Sequence, residues 1–209
     1  MKRIVLLAAV LMINLGAYAQ YDPEALDILN AMSAKYKGME AFSAEFTQEM
    51  INESVGLSEK LKGEITVKGN MYYLKIADQE VFNNGEDLWN YNKDIKEVTV
   101  TPYDPNEQEI SLNNIFDIYQ NGFKYILMGY TEDGARIIDL DPESRDKSYY
   151  KIRMVINSQD ELKKFTVFER KGNQYVYSIE KFQKLNNVPN SKFTFNTSKN
   201  PNVEVIDFR

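Results

Sequence analysis

The sequence predicts a mainly β (α+β) fold, in which one large antiparallel sheet of about ten or eleven strands curls over and is capped by two or three helices. Three observations predict it. From Phe42 onward apolar and polar residues alternate with a period of two. Turn-forming pairs and triplets such as Gly69-Asn70, Asn92-Lys93-Asp94 and Lys171-Gly172-Asn173 separate the alternating runs. Only two stretches, Pro23 to Lys37 and Leu112 to Tyr119, carry the spacing of a helix.

The chain opens with Lys2 and Arg3, an apolar run from Ile4 to Leu15 broken by Asn14, and Ala17-Tyr18-Ala19. That order predicts a signal peptide over residues 1–19, cut after Ala19. The apolar run falls short of the roughly twenty residues that span a bilayer as a helix. Residues 20–209 then form a single exported domain, and no cysteine follows the cut to carry a lipid. The precursor carries 25 Lys+Arg against 31 Asp+Glu, a net charge of −6. Loss of Lys2 and Arg3 leaves 23 basic residues against 31 acidic ones, or −8.

Pro23 to Lys37 reads as an amphipathic helix with Asp22 as N-cap, Pro23 at the first helical position and Gly38 as its stop. Its apolar stripe is Ala25, Leu26, Leu29, Met32 and Tyr36. In the first strand Phe42, Ala44, Phe46, Gln48 and Met50 share one face. Leu61, Gly63, Ile65 and Val67 alternate with charged residues in the next, and Gly69-Asn70 turns the chain into Tyr72, Leu74 and Ile76. Short strands follow at Glu80 to Asn83, Leu88 to Tyr91 and Ile95 to Thr101. Pro102 and Pro105 make Thr101 to Glu109 a loop.

Ser111 is placed to cap a second helix whose stripe is Leu112, Ile115, Phe116 and Tyr119, ending at Gly122. Phe123 to Tyr130, Ala135 to Leu140, Tyr149 to Asn157, Leu162 to Arg170 and Tyr175 to Phe182 supply the later strands. Lys192 to Asn196 and Val203 to Phe208 close the chain as extended pieces. A sheet of this size twists and curls. Helices with one apolar stripe each must then pack on its concave side, where the interior becomes core or pocket.

Composition excludes much chemistry. With no His and no Cys, there is no Ser-His-Asp or Cys-His pair, no zinc site of the usual type and no disulfide framework. The acidic balance argues against nucleic acid as a partner. Neither Glu107 with Glu109 nor Asp139 with Asp141 has a partner group that would shift a pKa, so both pairs read as solvated loop acids. No nucleotide-binding or serine-elbow motif is present. The chain is therefore expected to be no enzyme and to need neither metal nor cofactor.

Motifs then accumulate in order. Phe42-Ser-Ala-Glu-Phe46-Thr-Gln48 follows the amphipathic helix, and Gly63-Glu-Ile-Thr-Val-Lys68 and Asn70-Met-Tyr72-Tyr-Leu74 come next. Asn83-Asn-Gly85-Glu-Asp-Leu88-Trp89-Asn-Tyr91-Asn92 is the most distinctive. This order resembles the LolA family of periplasmic outer-membrane lipoprotein carriers, as a divergent member. The family's Arg-Pro pair is absent and Lys68-Gly69 or Gly69-Asn70 stands in its place. The resemblance makes Lys68 the candidate basic residue for lid control, without arginine's planar fork of donors.

The resemblance implies an unclosed antiparallel barrel that holds lipoprotein acyl chains on their way from an inner-membrane release complex to an outer-membrane acceptor. It also implies a periplasmic protein, expected to be monomeric. The candidate acyl-chain cavity residues are Phe46, Tyr72, Leu74, Ile76 and Trp89, with Leu112, Phe116 and Tyr119 from the second helix. The same fold serves carriers of glycolipids or polyketide lipids and lipoprotein-sensing modules, which stand as alternatives.

Overall fold

The computed structural model describes residues 21–105, 110 and 112–209. The signal-peptide reading, Ser111, Glu107 and Glu109 lie outside the described residues. Helix α1 (Pro23–Lys37) starts where the sequence places it: Asp22 Oδ1 accepts from the amides of Glu24 and Ala25, and Pro23 follows the cap. The other Asp22 oxygen accepts the Leu127 amide at 3.0 Å, so one carboxylate caps the helix and fastens it to the sheet. Accepting these amides holds its pKa below the usual carboxylate range, the Leu127 bond contributing most.

Twelve strands form one sheet in the order β12-β6-β5-β4-β3-β2-β1-β11-β10-β9-β8-β7. They are β1 (Ala41–Asn52), β2 (Leu57–Lys68), β3 (Met71–Ile76), β4 (Gln79–Asn83), β5 (Asp87–Asn92) and β6 (Glu97–Pro102), then β7 (Phe123–Tyr130), β8 (Arg136–Pro142), β9 (Tyr149–Ile156), β10 (Leu162–Glu169), β11 (Gln174–Leu185) and β12 (Glu204–Asp207). Within β1–β6 and within β7–β11 consecutive strands pair as antiparallel hairpins, and β1 joins these two halves through β11. The exception is β12, which lies parallel to β6. Strands β7 and β12 are the two edges of the sheet and do not pair with each other, so the barrel is unclosed.

Two expectations change. The second helix does not form: Leu112 to Asp117 is a run of turns, followed by a 3-10 turn at Ile118–Gln120. Asn113 and Asn114 compete for backbone hydrogen bonds and Ile115 and Ile118 are β-branched, which together disfavour an α-helix. The predicted apolar stripe is nonetheless buried, with Leu112, Ile115, Phe116 and Tyr119 all in the main core. Among the described residues α1 is the one α-helix. Lys192 to Asn196 also departs from an extended path, since Asn190–Phe193 coils as a 3-10 turn.

The order of strands has a further result. Strand β7 is one edge of the sheet and β6 is next to the other edge, yet the two are consecutive in the chain. The segment from Tyr103 to Gly122 must therefore cross from one side of the sheet to the other. Its buried residues share one cluster with α1, Phe42, Ile65, Ile138, Met154 and Phe165, which places the crossing on the concave side.

The convex side has its own cover. Trp89, Val98 and Val100 pack under Phe195, and Ala41 packs with Val188 and Phe193. The chain after β11 thus runs as a strap over the outside of β2 to β6. Arg209 finishes it, bonding Asp207 and, at 2.7 Å, Asp87.

Asp139 and Asp141 are not loop acids. Both lie on β8, and Asp139 is nearly inaccessible, bound through both oxygens by Arg153 at 2.7 and 2.8 Å with Lys151 at 3.3 Å. Burial alone would raise its pKa, but the hydrogen bonds and charges of Arg153 and Lys151 hold it below the usual range.

Candidate functional site

Between α1, the crossing segment and the concave sheet lies a cavity of about 950 Å³. Apolar walls come from Phe42 on β1, Val67 on β2, Tyr72 on β3, Phe123 at the start of β7 and Tyr149 on β9. Tyr36 and Met39 line it from the end of α1, and Phe116 and Ile118 from the crossing. Polar and charged groups, among them Lys37, Glu40, Asp117, Asp146 and Lys147, share the lining. A cavity of this volume lies toward the upper end of the roughly 300–1,000 Å³ typical of small-molecule sites.

Local sequence explains the walls. Tyr36 ends the helical stripe and Phe42 begins the strand alternation, so the turn at Gly38 brings the two rings together at 5.6 Å. Tyr36 stacks on Phe116 with centroids 3.7 Å apart, and Phe182 completes the aromatic group at 5.3 Å from both Tyr36 and Phe42. The Tyr36 hydroxyl accepts the Leu162 amide at 3.1 Å. Burial pushes its phenol up to about 12, the amide acting in the opposite sense, and burial likewise pushes Tyr72 up to about 12. Both stay neutral, as an apolar wall requires.

Two polar links join α1 to the crossing: Lys37 to Asp117 at 3.1 Å and Tyr119 Oη to Asn30 Oδ1 at 2.7 Å. The first is solvent-exposed and adds little stability, on the order of 0–1 kcal/mol. The crossing is held over the cavity by the burial of Leu112, Ile115, Phe116 and Tyr119 in the main core, with the Tyr36–Phe116 stack and these two polar links added to it.

Of the sequence candidates, Tyr72 and Phe116 line the cavity. Phe46, Leu112 and Tyr119 are buried in the main core, and Leu74 and Ile76 pack against it; none of the five reaches the 950 Å³ space. Trp89 is on the wrong face. Alternation along β5 sends Leu88 to the concave core and Trp89 to the convex cluster beneath Phe195. Lys68 donates to the Val188 carbonyl at 2.8 Å and to Asn190 Oδ1 at 2.9 Å, so it grips the C-terminal strap on the outer face. Sequence reading missed Tyr36, Phe42, Phe123 and Tyr149. The first two stood at facing ends of two apolar stripes and could have been found; Tyr149 gave no signal.

A smaller space of about 260 Å³ adjoins the first, sharing Ile110, Ser148 and Tyr149 with it. Its other lining residues are Gln48, Val167, Glu169, Tyr175 and Tyr177. Among the described residues no group of three or more acidic side chains is arranged to hold a metal, and no helix is long and apolar enough to cross a membrane.

An open sheet that keeps a cavity under its helix is a binding fold. The chain belongs to the family described as outer membrane lipoprotein carrier protein LolA, which matches residues 37–196. An uncharacterized conserved protein from Thermus thermophilus is similar at a TM-score of 0.57 and 12% identity, covering 88% of this chain and 99% of that one. A LolA superfamily protein from Nitrosomonas europaea is similar at 0.45 and 14%, covering 82% and 97%. LprF from Mycobacterium bovis is similar at 0.42 and 13%, covering 81% and 98%. At 12% identity the likeness to the Thermus thermophilus protein is one of fold. No curated protein matches the chain.

Proposed function

We propose that this chain is a periplasmic carrier that takes lipoprotein acyl chains into its 950 Å³ cavity and shuttles them from the inner to the outer membrane. The cavity is the observation that carries the reading: a space with aromatic and aliphatic walls and a partly polar lining, between α1, the crossing segment and the sheet. The family it belongs to is periplasmic and binds the lipid moieties of lipoproteins. Burying a methylene is worth about 0.8 kcal/mol, so eight of them supply roughly 6 kcal/mol with no reacting group. Weak polar links across the cover suit release as well as capture. In this reading residues 1–19 direct export and 20–209 do the carrying. An inner-membrane complex loads the monomer, and an outer-membrane acceptor unloads it.

Native mass spectrometry of the protein purified from its own envelope tests this. Acylated lipoprotein or its lipid fragment bound to the protein is the expected result. A glycolipid or polyketide lipid in its place would replace the cargo but keep the carrier. A protein that emerges empty and also fails to take up a fluorescent fatty acid overturns the reading.

A further inference from the structure

The smaller chamber differs chemically from the larger one. Its walls are the rings of Tyr149, Tyr175 and Tyr177 with Val167, and its charged lining residue is Glu169. Among the described residues no lysine or arginine lines it, whereas Lys37 and Lys147 line the larger space. Register explains the grouping. Gln48 pairs with Tyr177 across β1 and β11, and Val167 pairs with Tyr175 across β10 and β11. Glu169 pairs with Tyr149 across β10 and β9. All these side chains therefore gather at one end of the concave face.

The carboxylate is positioned, not loose. Asn173 Nδ2 donates to Glu169 Oε2 at 3.0 Å, and Asn52 Nδ2 donates to Asn173 Oδ1 at 2.8 Å. Tyr177 is fixed in turn by stacking on Phe165 at 4.4 Å. A carboxylate held beside three tyrosine rings, with no cation among the described lining residues, attracts a positively charged guest by charge, and an aromatic lining adds cation–π attraction.

We propose that this 260 Å³ chamber is a subsite for an ammonium group carried by the cargo close to its acyl chains. The two spaces meet at Ser148 and Tyr149, so one amphiphile can lay its chains in the larger space and its amine in the smaller. The inference rests on the carrier reading above and narrows its cargo to amine-bearing amphiphiles over phosphate-bearing or neutral ones.

The test displaces a fluorescent fatty acid from purified, delipidated protein with dodecylamine, dodecanol and dodecanoate at fixed ionic strength near pH 7. Dodecylamine is expected to bind about tenfold more tightly than dodecanol. Glu169→Gln is expected to abolish that preference and leave dodecanol unchanged, and Tyr175→Leu to reduce it. Glu204→Gln, the same charge change on exposed β12, is expected to keep it. Equal binding of the three ligands, or an equal loss in Glu204→Gln, overturns the subsite but not the carrier. Binding of none overturns both.

Discussion

The ring of Phe46 occupies the space above Gly63, its partner across β1 and β2. A Cβ added at Gly63 would stand 2.5 Å from Phe46 Cζ and 2.9 Å from the Lys75 carbonyl oxygen. This close approach explains why an alternating run of charged and apolar residues carries a glycine in an inward position. It also makes Phe46 a core residue that seals the sheet, not a wall of the cavity.

Gly63→Ala is expected to lower stability by about 1–3 kcal/mol through overpacking. Urea unfolding would show a lower midpoint with an unchanged slope. Combining it with Phe46→Leu should recover part of the loss, because the clash is with that ring; strict additivity of the two would refute the account.

Phe116→Leu should separate cover from core. It removes the stack on Tyr36, worth about 0.5–1.5 kcal/mol beyond area burial, while keeping most of the buried volume. Stopped-flow release of a bound fatty-acid probe is expected to quicken several-fold. Lys37→Ala should quicken it less, and the Lys37 effect should vanish at high salt because that pair is exposed. Release at the wild-type rate in both variants would mean that the cargo leaves by another way.

Asp139 gives a prediction about acid. Its folded pKa is depressed, whereas an unfolded aspartate titrates near 3.9 on the order of model peptides. The stabilisation from Arg153 and Lys151 is therefore complete above the unfolded pKa and is lost as pH falls through the folded one. Asp139→Asn should lower the melting temperature at pH 7 and flatten its decline between neutral and strongly acidic pH. A parallel decline in both proteins would rule out this carboxylate as a source of the acid sensitivity.

Trp89 is the single tryptophan in the chain. It lies beneath Phe195 on the convex face, so ligands entering the concave cavity should leave its emission maximum in place. Phe195→Ala is expected to shift that maximum to the red by admitting water. A ligand-induced shift of similar size in the unmodified protein would contradict the assignment of faces.

The sheet was legible because alternation with a period of two survives in nearly every strand, and turn residues mark the joins. Helix α1 was legible because Asp22, Pro23 and Gly38 each act locally. The side of the sheet that each stripe faces was less so. Trp89 and Leu88 are adjacent, and alternation alone does not say which of them looks inward. The coil at Leu112–Asp117 escaped because burial spacing and helix spacing coincide over so short a run. Lys68 escaped because its partners, Val188 and Asn190, arrive from a distant part of the chain. Cavity walls are set by where elements stop meeting, which no single strand records.

The crossing from Tyr103 to Gly122 is tethered at both sides of the sheet, to β6 and to β7. It works as a cord sewn to two rims, not as a flap with one free end. Separating β6 from β7 lengthens the span that this segment must bridge. A change in the curvature of the sheet is therefore also a change in the slack of the cord that covers its cavity.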